Sequence, residues 1–194
     1  NSWKLYMKKI ILFFGIFTIS IFYSKAQIIP IAEHDYYNKN GDGPLKKGTY
    51  LKDVNGILNK YVGTWKGTYK SKQYEVRAVK RTFSYLGIKE DGLLMRYKVT
   101  NNNGVVIENI LDLPDDDIYV LAVGFYDKFR DHYIYNYNGR DTDCGQNGKV
   151  YTKVYGTGNK KMKLSVVIYG EADNCTKTSF PEILPVKWME LTKQ

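Results

Sequence analysis

Two cysteines and two histidines are the whole stock of thiol and imidazole chemistry in this 194-residue chain. Cys144 and Cys175 stand 31 residues apart, and His34 and His132 are remote from each other in sequence. A zinc site needs three or four ligands brought close together, chiefly Cys and His, which this stock and spacing do not offer. A hydrolytic nucleophile needs an oriented base beside it, and His132, next to Asp131 at the start of an alternating stretch, reads as a loop residue. Two acidic runs, Asp115-Asp116-Asp117 after Pro114 and Asp141-Thr142-Asp143, could present oxygens to a calcium ion. Neither has the spacing of a calcium loop or its closing bidentate glutamate, and aspartates in turns bond their own backbone anyway. The residues therefore assign no catalytic group, no cofactor site and no metal site. A pair of carboxylates on facing strands, the glycosidase arrangement, is the one hydrolase chemistry that sequence order leaves open.

Tyrosine is the compositional oddity, with 18 in the chain. Tyr97, Tyr133, Tyr135 and Tyr137 fall at alternate positions of strand-like segments. Pointing inward, they would line a pocket with apolar walls and hydroxyl handles, suited to a small apolar or amphipathic ligand. The simpler reading is that tyrosine is a good residue for a half-exposed strand.

The elements that must position these residues begin after an N-terminal segment of different character. Met7 is followed by Lys8 and Lys9, then by the apolar run Ile10 to Tyr23, then by Ser24-Lys25-Ala26. That order predicts a signal peptide over residues 7–26, cleaved after Ala26, and hence export to the periplasm or the medium. Fourteen residues of helix reach about 21 Å, short of the ~30 Å hydrocarbon core, so a membrane anchor fits less well. Residues 1–6 read as an upstream extension outside the fold. Removing residues 1–26, which carry four lysines and no acid, lowers the net charge from +9 to +5. The remaining basic residues are scattered rather than blocked together, which argues against a nucleic-acid partner.

Residues 27–48 read as an extended lead-in, broken by Gly41, Gly43 and Pro44, whose Ile28-Ile29-Pro30-Ile31 piece needs burial against an edge strand or across a barrel mouth. Residues 49–194 read as a single β domain. Asp53 predicts the N-cap of one short helix carrying Val54, Ile57, Leu58 and Tyr61. Beyond Gly63 the period is two. Leu93, Met95, Tyr97 and Val99 share a face, and Asn101 to Gly104 makes a tight turn. Ile118 to Tyr126 is apolar on both faces, as a central strand covered on both sides would be. The apolar set between Tyr74 and Tyr85 changes phase, which predicts a β-bulge. Met162, Leu164, Val166 and Ile168 line a later strand, and Val186 with Trp188 begins the last. About eight or nine strands with short turns predict an all-β meander, closing as a barrel or packing as a sandwich. A hairpin turning near Gly158 brings Cys144 and Cys175 to its open end, where export would let them form a disulfide.

The segment Tyr61-Val62-Gly63-Thr64-Trp65-Lys66-Gly67 is similar to the first strand of the lipocalin and calycin superfamily. The resemblance implies an up-and-down barrel in which Trp65 plugs the closed end and Gly63 admits close backbone approach. It covers a short stretch, with no counterpart of that family's Thr-Asp-Tyr loop and no basic residue near the C-terminus to cover the tryptophan. A longer resemblance runs through GTYLKDVNGILNKYVGTWKGTY, GIKEDGLLMRY, LPDDD, CGQNG and the terminal MELTKQ. These stretches resemble a family of small exported proteins from Bacteroidota catalogued as a domain of unknown function. That likeness implies export and a shared fold, and carries no activity with it.

The expectation is thus an exported, non-enzymatic, lipocalin-like barrel without cofactor, binding a small apolar or amphipathic molecule. A secreted interaction or inhibitor module with a filled core is the first alternative, and a hydrolase with a carboxylate pair the second.

Overall fold

A computed structural model of the protein describes residues 27–33, 45–122, 124–172, 175–176 and 182–194. The extension 1–6, the signal segment 7–26 and residues 34–44 of the lead-in lie outside the described residues. The chain is all-β. Its strands are β1 (Ile28–Pro30), β2 (Tyr50–Lys52), β3 (Gly63–Tyr69), β4 (Lys72–Tyr85), β5 (Ile88–Asn101) and β6 (Val106–Asn109). They continue as β7 (Phe125–Asp127), β8 (His132–Asn138), β9 (Asn147–Tyr155), β10 (Lys161–Ile168) and β11 (Met189–Lys193). All belong to one sheet in the order β1-β2-β5-β4-β3-β11-β10-β9-β8-β7, with β6 also on β5. Two antiparallel meanders, β3 to β5 and β7 to β11, meet where β11 pairs with β3.

Alternation builds the core. The inner face carries Trp65 on β3, Val76 on β4, Leu93 to Val99 at odd positions on β5, and Tyr133, Tyr135 and Tyr137 on β8. Val150 and Val154 follow on β9, Met162 to Val166 at even positions on β10, and Met189 and Leu191 on β11. Strands from both ends of the order share this one cluster, so the sheet is strongly curled around it. The lead-in joins it too: β1 is an edge strand parallel to β2, and it buries Ile29 with the adjacent Ile31.

The sheet does not close into the barrel that the lipocalin resemblance implies. The reason lies in the free edge of β5, which three different segments share. Parallel β2 takes Lys89 and Glu90, and β6 takes Lys98 to Thr100. Between them a single bridge joins Met95 to Leu121, with N–H···O distances of 2.8 and 3.0 Å. No one strand can run along that edge and seal it.

Other expectations change for equally local reasons. The run from Ile118 to Tyr126 is not a central strand: it supplies the Leu121 bridge and then β7, at the end of the order, with Ile118 exposed. Its apolar character on both faces reflects its place along the seam, and residue 123 lies outside the described residues. The expected bulge in β4 is absent, because β4 and β5 pair without a break from Lys72–Asn101 to Tyr85–Ile88. The irregularity sits instead at Val99/Thr100 against β6. The expected N-terminal helix is a four-residue 3-10 turn, Ile57–Lys60, because Gly56 enters it in the left-handed conformation at φ 64°. The last strand begins at Met189, leaving Val186 and Trp188 outside it and about half exposed. The hairpin of β9 and β10 is in the expected place, and Cys144 is bonded to Cys175 at its open end.

Candidate functional site

Trp65 is fully buried where β3 meets the C-terminal strand. Its indole N–H donates to the Tyr61 carbonyl at 2.8 Å, so the 3-10 turn before β3 satisfies the one polar group on the ring. Lys193 lies across the other side, with Nζ 5.1 Å from the ring centroid. This is the basic C-terminal cover that reading the sequence misses. A terminal strand of five residues gives no pattern from which to align it. Two glycines make the approach possible. Gly63 takes φ 132°, a conformation other residues avoid, and a Cβ at Gly67 would stand 2.4 Å from the Glu190 carbonyl oxygen. The structure thus makes Gly63 and Trp65 a packing unit at the junction of the two meanders.

The four tyrosines suggested as pocket walls are brought together on the inner face, but as filling. Tyr135 is wholly buried, and the Tyr133 and Tyr135 rings pack 4.7 Å apart, with Tyr61 at 6.1 Å from Tyr133. Their hydroxyls are largely used within the protein. Tyr133 Oη accepts the Leu93 N–H at 2.8 Å, and the Tyr97 and Tyr137 hydroxyls interact with each other. Tyr74 donates to the Ile183 carbonyl at 3.1 Å. Burial pushes the phenols of Tyr74 and Tyr137 up to about 12, so they stay neutral donors at any physiological pH. Among the described residues Tyr135 Oη has no hydrogen-bond partner; the Thr152 hydroxyl, across the sheet from Tyr133, donates to the Tyr133 carbonyl.

Past Ala78 the same inner face turns polar. Lys80 and Thr82 on β4 meet Asp91 on β5, with Asp53 and Tyr50 arriving from the lead-in side. Asp53 accepts the N–H groups of Ile57 and Leu58 at 2.8 and 3.2 Å and the Lys80 ammonium at 2.8 Å. Asp91 accepts from the hydroxyls of Tyr50 and Thr82, both at 2.8 Å, and from the Asp53 N–H at 3.1 Å. Burial works to raise the Asp91 carboxyl, but these three donors outweigh it and hold the group below its usual value. Two carboxylates close together suggest acid–base chemistry, yet every oxygen here is bonded to a structural donor. The pair clamps the 3-10 turn onto β4 and β5. A sequence signal existed: Asp91 shares the face of Leu93 and Met95, so an alternating pattern already places an acid inside.

The open surface of interest lies outside the sheet, over the Met95–Leu121 seam. A cleft of about 530 Å³ is lined by Phe83, Leu94, Val120 and Ala122, with Asn136, Asn138 and residues 115–118 around it. Leu94 and Val120 are buried, although Leu94 belongs to the outer face of β5, because the loop before β7 folds over them. That loop is tied down. Asp115 accepts from Arg81 at 2.8 Å and from Arg96 at 2.6 Å, and Arg96 also donates to the Leu113 carbonyl. Asn138 donates to the Ile118 carbonyl at 3.0 Å. The two guanidinium partners hold the Asp115 carboxyl below its usual range, which makes it a fixed anion and an anchor for the loop. The acidic run that suggested calcium thus holds a wall of the cleft through Asp115, while Asp117 accepts the Tyr119 N–H at 2.9 Å. Among the described residues, no three His, Cys, Asp or Glu side chains group as metal ligands, and no helix is long and apolar enough to cross a membrane.

Comparison with known proteins gives one result. A family model described as a family of unknown function (DUF6705) matches residues 7–177. No curated protein and no solved structure matches the chain.

Proposed function

The chain belongs to that family of unknown function, and on this premise we propose that it is an exported, non-enzymatic protein that binds a small apolar or amphipathic ligand in the cleft over the seam. The cleft carries the proposal. Its volume of about 530 Å³ falls within the ~300–1,000 Å³ usual for small-molecule sites. Its apolar floor of Leu94, Val120 and Ala122 would take a hydrocarbon portion, while the Asn136 and Asn138 side of the cleft and Arg81 would meet a polar head. Export rests on the charged, apolar and small-residue order of residues 7–26. The non-enzymatic reading is supported by the carboxylates of Asp53, Asp91 and Asp115, each spent on structural donors.

Native mass spectrometry of protein purified from its own host tests this. The expected result is a co-purifying amphiphile of a few hundred daltons that is lost in Ala122→Trp, which fills the cleft. An amphiphile retained in that variant would place binding elsewhere. A second reading, an interaction module working through its outer surface, is favoured by the tyrosine-filled interior, and a bound polypeptide in the same spectra would support it.

A further inference from the structure

The outer face of β8, β9 and β10 bears a group of features that the seam cleft leaves unused. Tyr151 on β9 pairs across the sheet with Ser165 on β10 and Ile134 on β8. Trp188, immediately before β11, and His132, at the start of β8, converge on the same spot. Their rings lie 5.4 Å apart at 55°, and His132 lies 6.4 Å from Tyr151 at 78°. Trp188 is 46 % exposed. An indole left half in water on a sheet face, with His132 inclined against it and Tyr151 beyond, is an exposed aromatic patch.

Lysines of β9 and β10 flank this patch. Lys149 and Lys153 flank Tyr151 along β9, each about 7 Å away at ~3.3 Å per residue, and Lys163 pairs with Lys153 from β10. Among the described residues none of these three has a carboxylate within 4 Å. Lys149 bonds the Asn136 amide oxygen, Lys153 the Arg130 carbonyl at 3.2 Å, and Lys163 lies over the Tyr155 ring. The acids nearby are already held: Glu190 by Lys161 and Tyr155, Asp127 by Arg130, and Asp131 by Lys60 and Tyr126. The face is therefore net positive, and its charge asks for an anion.

We propose that this face binds an acidic polysaccharide, one sugar ring seated against Trp188, Tyr151 and His132 and its carboxylates or sulfates on Lys149, Lys153 and Lys163. The aromatic geometry favours a saccharide over single-stranded nucleic acid. Successive bases stack on a row of aromatic platforms, whereas here the His132 ring is tilted to Trp188 by 55° and to Tyr151 by 78°, leaving Trp188 as a single half-exposed platform. The face adjoins the seam cleft at Asn136, which lines the cleft and accepts from Lys149, but Trp188, Tyr151 and His132 lie outside the cleft's lining.

Affinity measured by isothermal titration against polygalacturonate, its fully methyl-esterified form and poly(dT) tests it. Polygalacturonate is expected to bind, with at least tenfold loss on esterification and weaker binding of poly(dT). Trp188→Ala should weaken binding at least tenfold. The triple variant Lys149→Gln, Lys153→Gln, Lys163→Gln should weaken it similarly and flatten its salt dependence. Lys66→Gln with Lys98→Gln, on the outer face of β3 and β5, should leave it unchanged, and unfolding midpoints check that each variant is folded. Tighter binding of poly(dT), equal binding of the methyl ester, or affinity within twofold of the parent in both the Trp188 and the triple-lysine variants would overturn the assignment.

Discussion

The β4–β5 hairpin runs along one unbroken ladder, yet the inner face of its two halves carries opposite chemistry. From Tyr74 to Ala78 on β4, and from Met95 to Val99 on β5, that face is apolar and meets the tyrosines of β8. A few residues on, Lys80, Thr82 and Asp91 occupy the same face and meet Asp53 and Tyr50 instead. The difference lies in what covers each half: a curled sheet over the first, and over the second a 3-10 turn whose first N–H groups take the Asp53 carboxylate as their acceptor. Backbone register and the polarity of a face are separate properties, and alternation reports the first only where the cover is apolar.

The largest break in this comparison comes at Trp65. Trp65→Ala should cost about 3–5 kcal/mol, measured by urea unfolding, because it empties the junction of the two meanders and orphans the Tyr61 carbonyl. Reducing the Cys144–Cys175 bond should cost about 3–4 kcal/mol on the chain-entropy model, leaving both halves of the β4–β5 hairpin alike. The polar half is broken by Asp53→Ala, which strands the Ile57 and Leu58 N–H groups and the Lys80 ammonium. About 2–3 kcal/mol is expected, reduced by the partial exposure of Lys80.

Acid sharpens the contrast further. The Asp91 carboxyl is held below its ordinary 3.8, so the folded state binds its proton less readily than the unfolded chain does. Its stabilisation is complete above that value and disappears as pH falls through the lower folded one. Unfolding midpoints below about pH 4 should therefore drop less steeply in Asp91→Asn than in the parent. His132 gives the smallest effect. Burial first, and Lys153 second, lower its imidazole below 6.5, so the unfolded chain takes up the proton first and stability declines as pH falls below that value. His132→Phe should flatten that decline by a degree or two in Tm at pH 5, read by circular dichroism.

Much of the architecture was legible in the sequence. The odd residues of β5 and the tyrosine row of β8 follow the period of two, because each has an apolar core to face, and the turn at Asn101 to Gly104 follows from its Asn-Gly pair. The disulfide followed from hairpin register. What stayed hidden depends on contacts between distant segments. The shared edge of β5 cannot be seen in β5 itself, and it decides between a barrel and an open curled sheet. Lys193 over Trp65 joins residues 128 positions apart. Phe83 and Tyr85 mimicked a bulge because the inner face had turned polar, and the apolar residues had moved to the other side. The candidate cleft was the least legible part, since a loop folded over a buried outer-face leucine leaves no periodic trace.

The central claim is that side chains fill the centre of the sheet, so that a small ligand meets this protein outside, over the seam. Chemical-shift mapping during titration with the amphiphile 1-anilinonaphthalene-8-sulfonate tests it most directly. Perturbations should gather at Leu94, Val120, Ala122 and Asn138, leaving the ring resonances of Tyr133, Tyr135 and Tyr137 in place. Saturable shifts of those three rings, with the cleft residues silent, would contradict the account.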